Sequence, residues 1–310
     1  MDEASHTYLL FGQRFRSDIA LPELGPELAR DSRRDDTTAI VIRRGAVPED
    51  GTQVGPQIGP FSHAAPDALW LRIPNIARYL VQGGNRVTYA PEPGIDDDSV
   101  RVFLLGSCIG TLLLQRGQLV LHGNAFAIGD GCALCVGPSG AGKSTLAARM
   151  MQRGHPVIAD DVCPIDAEGR AIPGMARMKL WQDTADRLAI DTSRLRRIRP
   201  GLAKYDLPMG ETFHAQPLPV RAIYVLSPWN RETFAVKELS GLAKFQALRD
   251  NTYRFRFLKG MALGPGHMRQ CGDLAARVPV AELHRPRQGF DIDGLVDAIR
   301  DDFVRRNVLA

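Results

Sequence analysis

Nine consecutive residues carry the clearest chemistry in this chain of 310: Gly137, Pro138, Ser139, Gly140, Ala141, Gly142, Lys143, Ser144 and Thr145. They fit G-x-x-x-x-G-K-[ST]. Glycines let backbone N–H groups converge on phosphate oxygens with no Cβ in the way. A helix beginning at the lysine adds partial positive charge. Lys143 would reach the β- and γ-phosphates, and the Ser144 hydroxyl can ligate Mg²⁺. The flanks agree. An apolar strand, 132–136, precedes the loop, and a helix with Leu146, Ala147, Met150 and Met151 on one face follows it. Gly154 stands where that helix needs a left-handed cap. An accidental glycine-rich turn would not need this setting, so the motif predicts a nucleotide site with ATP and Mg²⁺ as ligands.

Two further pieces converge on the loop. Residues 119–128 read as a strand, and Gly129-Asp-Gly131 as a three-residue hairpin turn into 132–136. If 128 pairs with 132, His122 lies opposite Pro138, beside the loop; the alternative is a packed core histidine. Residues 155–162, His-Pro-Val-Ile-Ala-Asp-Asp-Val, read as the strand after the phosphate-loop helix. A right-handed crossover lays it parallel to 132–136, with Asp160 and Asp161 at the edge where such sheets bind ligands. Adjacent side chains diverge on a strand. One aspartate would therefore bind Mg²⁺ with Ser144, and the other would accept a proton from an incoming hydroxyl. The bland alternative is a solvated acidic turn.

Phosphoryl transfer needs cations on the moving group. Beyond Lys143 the candidates are Arg177 and Lys179, and Arg254 or Arg256 within Tyr253-Arg-Phe-Arg-Phe257. The last segment also reads as a strand with an exposed basic face. Ser193-Arg-Leu-Arg-Arg-Ile-Arg-Pro200 is a denser basic run. It reads first as a solvated face, next as a site for an acidic peptide, and only distantly as a nucleic-acid site. His214, His267 and His284 show no partner spacing.

The elements that must hold these residues follow from the wider pattern. Residues 1–95 look β-rich and irregular, with strand candidates at 8–11, 38–43 and 86–90 and loops over 44–67. A helix begins near Asp96-Asp-Asp-Ser99 and runs towards Gly117. The apolar stretch 102–114 is too short to cross a bilayer and reads as a buried core helix. Residues 96–310 form the second predicted domain, closing with a strand at 221–226 and a helix at 291–308. A net charge of +4 does not suggest a dedicated nucleic-acid binder. Five cysteines make no disulfide framework. Cys132 and Cys135 form an isolated C-x-x-C inside an apolar strand, and are expected to be buried rather than to bind metal. The N-terminal Met-Asp-Glu-Ala-Ser-His is acidic, unlike a signal peptide. A cytoplasmic protein without membrane or nucleic-acid partners is expected, and a homo-oligomer is compatible with the sequence.

Leu121-His-Gly123, then Gly137-Pro-Ser-Gly-Ala-Gly-Lys-Ser-Thr145, then Arg153-Gly-His-Pro-Val-Ile-Ala-Asp-Asp161 resembles the catalytic domain of HPr kinase/phosphorylase. The specific match covers 119–162. The resemblance implies an α/β, PEP-carboxykinase-like phosphate-loop catalytic domain beside the smaller β-rich N-terminal region. It also implies that Asp160 activates a serine hydroxyl with His122 as its partner, and that Asp161 ligates magnesium. Ile172-Pro-Gly-Met-Ala-Arg-Met-Lys-Leu-Trp181 departs from the family, because no carboxylate stands where it has an acidic metal ligand. The wider layout is similar to shorter HPr-kinase-like proteins of peptide-modification pathways. It rests on Phe11-Gly, Ser17-Asp-Ile-Ala-Leu-Pro-Glu-Leu24, Gln115-Arg-Gly117 and Pro173-Gly with Lys179-Leu-Trp181. Some of those relatives phosphorylate the C-terminal serine of lasso-peptide precursors. The sequence thus predicts an ATP-dependent serine kinase of a peptide or protein. Its alternatives are a small-metabolite kinase and a low-turnover, nucleotide-gated binding protein. No LSGGQ-like signature supports a transport ATPase.

Overall fold

The computed structural model describes residues 6–28, 39–289 and 291–308. The first five residues, whose acidic composition is unlike a signal peptide, and Thr38, expected to open a strand, lie outside them. The described chain is mixed α/β and divides into two compact units: 1–119 with 198–201 and 254–267, and the remainder. The first unit extends to Leu119, past the expected boundary at 95/96, so the helical stretch 97–115 belongs with it.

The first unit is built on an eight-stranded sheet. Its strands are β1 (His6–Leu10), β2 (Gln13–Ser17), β3 (Ile40–Arg44), β4 (Gln57–Gly59), β5 (Ser62–Ala65), β6 (Ala68–Ile73), β7 (Ala77–Gln82) and β8 (Arg86–Pro91). Strand β7 shows the alternation that places such a sheet: Ala77, Tyr79 and Val81 are buried while the residues between are not. Strands β4 and β5 fall in the stretch expected to be loop. Their small and polar residues carry little β propensity. Pairing of β4 with β5 and of β5 with β6, and the edge contact of His63 on Trp70 at 5.5 Å, hold them extended. The expected helix is present as α1 (Asp97–Phe103), a π turn (Leu104–Cys108) and α2 (Ile109–Gln115), with 104–114 buried. Asp96 caps it by accepting from Ser99 N at 2.8 Å.

The second unit carries the phosphate-loop motif. Strands β9 (Leu119–Ile128) and β10 (Gly131–Val136) form a hairpin, followed by α3 (Lys143–Gln152) and β11 (Val157–Ile165). Next come β12 (Arg170–Ala171), β13 (Arg177–Trp181), α4 (Gln182–Arg187), β14 (Lys204–Pro208), β15 (Leu218–Trp229) and β16 (Ala235–Glu238). The chain then forms α5 (Gly241–Asp250), α6 (Phe255–Gly260), α7 (Gly264–Arg277), β17 (Val280–Pro286) and α8 (Ile292–Val308). The main sheet has the order β10-β9-β11-β12-β15-β17-β16, and β10 also pairs with β15 in parallel. Strand β10 is buried along its whole length, as its unbroken apolar run requires.

Two details differ from the sequence expectation. The hairpin turn has two residues, not three: Gly131 pairs with Ile128, and Val136 with Gly123. Gly129 takes φ 62 at the first central position, the conformation a tight hairpin demands. Strand β11 does not lie beside β10, because β9 occupies that slot. Contacts along β9 and β11 run in opposite senses: Ala127 N donates to Pro156 O, Asn124 meets Asp160 and His122 meets Asp161. Strand β11 is therefore parallel to β10 but one strand removed. Helix α3 packs Leu146, Ala147 and Met150 into the core, and Gly154 follows it with φ 82, as expected. All five cysteines are free and buried, and burial pushes the Cys132 thiol up to about 12. No helix among the described residues is long and apolar enough to cross a membrane.

Candidate functional site

Parallel strands β10, β15 and β17 deliver their C-terminal ends to one edge of the sheet, and β11 ends its apolar half on the same edge. A cavity of about 1210 Å³ opens there. The loop 137–145 lines its middle, β9, β11, β13 and β14 line one side, and the ends of β15 and β17 with α8 line the other.

The loop is shaped by its glycines. A Cβ on Gly137 would stand 3.0 Å from the Leu226 carbonyl oxygen, and its φ is 143. Gly140 and Gly142 also have positive φ, and Gly142 leads directly into α3. Lys143 is buried, and its ammonium donates to the carbonyls of Gly137 at 2.8 Å and Pro138 at 3.1 Å. Burial lowers its pKa, against the pull of Asp161 and Asp160. Ser139, Ser144 and Thr145 also line the cavity.

His122, Asn124, Asp160 and Asp161 meet because β9 lies against β11. The sequence expectation paired His122 with Asp160; the structure pairs it with Asp161. His122 Nδ1 lies 3.1 Å from Asp161 Oδ1 and 3.1 Å from the Asp161 carbonyl oxygen. The reason is local geometry. With φ 71 at Asp161, both side chains reach β9: Asp161 meets His122, and Asp160 meets Asn124 two residues on. The ring of Tyr253, 5.7 Å from that of His122, flanks it. The Asp160 carboxylate is buried and fully engaged: Asn124 Nδ2 donates to Oδ1, and the Lys179 backbone N–H donates to Oδ2 at 2.9 Å.

The two carboxylates are driven apart electrostatically. Burial, followed by the charge of Asp161, raises the pKa of Asp160 above the usual range despite Lys179. Burial also works against ionisation of Asp161. Lys179, whose Nζ is 3.3 Å from Oδ2, together with His122 and Lys204, outweighs it and holds that group well below the usual range.

The expected cations separate. Lys179 is in the site. Arg177 is buried in an ion pair with Asp206 and does not line the cavity. Arg254 opens helix α6 in the first unit with φ 52, where the sequence suggested a strand. Of the cavity-wall residues that the sequence did not single out, three have contacts that bear on the site. Asn124 lies two residues beyond His122 on the same face of β9, so strand alternation could have found it. Lys204 lies across from Trp181 in the β13–β14 pair, with Nζ 5.1 Å from the ring centre. Arg285, at the end of β17, donates from Nε to Ala141 O at 3.0 Å. Neither cation has a carboxylate within ion-pair distance among the described residues. No sequence spacing marks either one.

His284 stacks on Trp229 at 4.6 Å. His214 and His267 do not line the cavity. Among the described residues no group of three or more His, Cys, Asp or Glu could hold a metal by itself. The hard oxygen donors on the wall, Ser144 Oγ and the aspartates, suit a Mg²⁺ ion that takes its remaining ligands from phosphate and water.

No protein-family model matches the chain, and no curated protein matches it in sequence. Among solved structures, the HPr(Ser) kinase/phosphatase from Coxiella burnetii is similar to 61% of this chain and 92% of that chain, at 13% identity and a TM-score of 0.31.

Proposed function

We propose that this chain is a phosphotransferase that moves the γ-phosphoryl group of ATP to a serine hydroxyl of a peptide or protein. The observation that carries the proposal is the His122–Asp161 contact on the wall of the cavity that the phosphate loop lines. The loop amides and Lys143 would hold the triphosphate, and Arg285, poised on the loop carbonyl of Ala141, would add a second cation. The far side of the cavity, with Phe234, Ile292 and Leu295, offers the apolar surface a nucleobase needs. Ser144 and Asp161 would hold Mg²⁺, which when bound neutralises charge on the β- and γ-phosphates.

His122 is the better proton acceptor. Asp161 holds its Nδ1, and no hydrogen bond among the described residues engages Nε2. Nε2 would take the proton as the hydroxyl oxygen bonds to the γ-phosphorus. The bond to the bridging oxygen then breaks, and ADP leaves with that electron pair. Asp161 stabilises the imidazolium, as an aspartate does for a catalytic histidine elsewhere. Asp160 has both oxygens occupied and instead fixes Asn124 and the backbone at Lys179.

The test is transfer of label from γ-labelled ATP in the presence of serine peptides, alcohols of low mass, or water alone. Label on serine supports the proposal. Label appearing only on a small alcohol, or only as inorganic phosphate, overturns the peptide acceptor.

A further inference from the structure

The eight-stranded sheet of the first unit buries one face, and strand alternation assigns the other. Phe15, Ile40, Ile42, Tyr79, Val81 and Val87 point inward and are buried. The helical stretch 97–115 covers them, and Tyr79 Oη donates to Val100 O at 3.0 Å. The opposite face carries the residues between. Along β2, β3, β6, β7 and β8 these include Arg14, Arg16, Arg43, Arg72, Arg78 and Arg86, and no Asp or Glu stands at an outward position of these strands.

Register brings three of the arginines together. Arg16 pairs with Val41, and Val41 with Arg86, in one row across β2, β3 and β8. Arg43 stands two residues further along β3, diagonal to both. Strands lie about 4.8 Å apart and rise about 3.3 Å per residue, so Arg16 and Arg86 are about 10 Å apart at the backbone and Arg43 is about 8 Å from each. All three are exposed around half-buried Val41. The far end of the face is treated differently. Arg72 and Arg78 stand directly opposite each other, and Glu49, from the loop after β3, reaches Arg78 at 3.8 Å. The same loop lies over Trp70, whose Nε1 donates to Pro48 O at 2.8 Å. Arg16, Arg43 and Arg86 make no ion pair among the described residues. Like charges held this close repel, and a face that needed only solvation would mix both signs.

We infer that Arg16, Arg43 and Arg86 form a docking face for an acidic polypeptide segment. Alternate side chains of an extended peptide share a face about 7 Å apart, close to the Arg16–Arg43 and Arg43–Arg86 spacings. Carboxylates at i and i+2 therefore meet two arginines at once. Val41, and exposed Leu9, which the β1–β2 register places beside Arg14, give the segment's aliphatic atoms a surface. A single-stranded nucleic acid fits less well. It needs aromatic faces for stacking, and the rings on this face, Trp70 and His63, are buried. Bilayer binding through basic residues alone takes a cluster of about four to eight, more than the three left without ion pairs here. The inference does not rest on the proposed phosphotransfer, because every residue lining the cavity belongs to the second unit.

The experiment measures binding to the full chain without nucleotide. The probes are a fluorescent peptide of alternating Glu and Thr, its Gln/Thr counterpart, a single-stranded DNA oligonucleotide, and phosphatidylcholine vesicles containing phosphatidylserine. The acidic peptide should bind about tenfold tighter than its counterpart and weaken as salt rises. Arg16→Glu/Arg86→Glu should lose that preference. Arg16→Gln/Arg86→Gln, checked by a melting curve against a folding artefact, should lose most of it. Arg194→Glu/Arg269→Glu makes the same change in net charge at exposed positions of the second unit and should keep it. Equal binding of the two peptides, or equal loss in both charge-reversed pairs, overturns the docking face. Tighter binding of the DNA or the vesicles, lost in Arg16→Glu/Arg86→Glu, gives the face to that partner and overturns the polypeptide.

Discussion

Buried positive charge is treated differently in the two compact units. In the first, Arg101 is buried and meets Glu23 at 2.9 Å as well as Asp98 on its own helix. Tyr89 and the Arg44 N–H share Asp18, at 2.9 and 2.6 Å. In the second, buried Lys143 rests on two neutral carbonyls, half-buried Arg285 on two more, and half-buried Lys204 over an aromatic ring. A buried charge without an opposite charge costs stability, and a fold optimised only for stability would have paired them. The first unit's arrangement is self-contained. The second unit's cavity has more cation than its own carboxylates neutralise, which is the state a site for an anionic ligand should be in.

That contrast is broken most severely at the loop. Lys143→Ala should abolish measurable transfer, a fall of about 10³-fold or more, the range seen when a principal electrostatic donor is lost. Its melting temperature should hold, because the variant removes a buried ammonium rather than a packed side chain. Steady-state rates beside a thermal melt decide, and unchanged turnover would dismiss the phosphate-loop assignment.

Next in size are the members of the proton-transfer pair. His122→Ala should lower transfer by about 10²- to 10³-fold with ATP affinity nearly intact. Asp161→Asn should lower transfer to a similar degree and also raise the Mg²⁺ concentration needed. A His122→Ala protein that melts early yet turns over normally per folded molecule would make the histidine structural. In the first unit the prediction is reversed. Arg101→Ala breaks the buried pair with Glu23 and should cost about 3 kcal/mol or more of stability, while the folded fraction keeps wild-type kinetics. Denaturant titration with activity measured at low denaturant separates the two effects.

The sequence disclosed the centre of the site better than its walls. The shape of the loop 137–145, helix α3, its Gly154 cap and strand β9 were legible because each depends on local conformation: positive φ, an apolar run, an amphipathic period. The hairpin turn was misread by one residue, since Gly129-Asp-Gly131 suits a two- or a three-residue turn and only pairing decides. The placement of His122 on the same cavity as the loop tolerates that slip. Its true partner was hidden by the positive φ of Asp161, which no residue type announces. Lys204 and Arg285 were invisible for another reason. They reach the cavity through β14 and β17, and long-range strand order leaves no mark on nearby sequence. The segment 253–257 alternates like a strand, yet its second half is helix α6. Short apolar–basic alternation does not distinguish the two.

The smallest expected effect is also the most discriminating, because Asp160 and Asp161 should have opposite signs in stability. Burial and the neighbouring charge of Asp161 raise the folded-state pKa of Asp160, so between the ordinary carboxylate value and that raised value the folded protein holds a proton the unfolded chain has lost. Stability then falls as pH rises through that window, and the deficit persists above it. Asp160→Asn removes the buried charge. Its amide can accept from the Lys179 N–H and donate to Asn124 Oδ1, which has no hydrogen-bond partner among the described residues, if Asn124 turns over. The variant should therefore melt higher than wild type at about pH 8, at about 2–4 °C for each kcal/mol recovered, with the gap closing towards about pH 4. Asp161 is the reverse case. Lys179 and His122 hold its folded-state pKa low, so its contribution is present above the unfolded value and is lost as pH falls through the folded one. Asp161→Asn should melt lower than wild type at about pH 8, and this gap should hold down to about pH 4 and shrink only below it. Melting curves of the two variants across that range are the measurement. If Asp160→Asn melts lower than wild type at every pH, its carboxylate stabilises the fold, and the division between a buried organiser and a working Asp161 would be wrong.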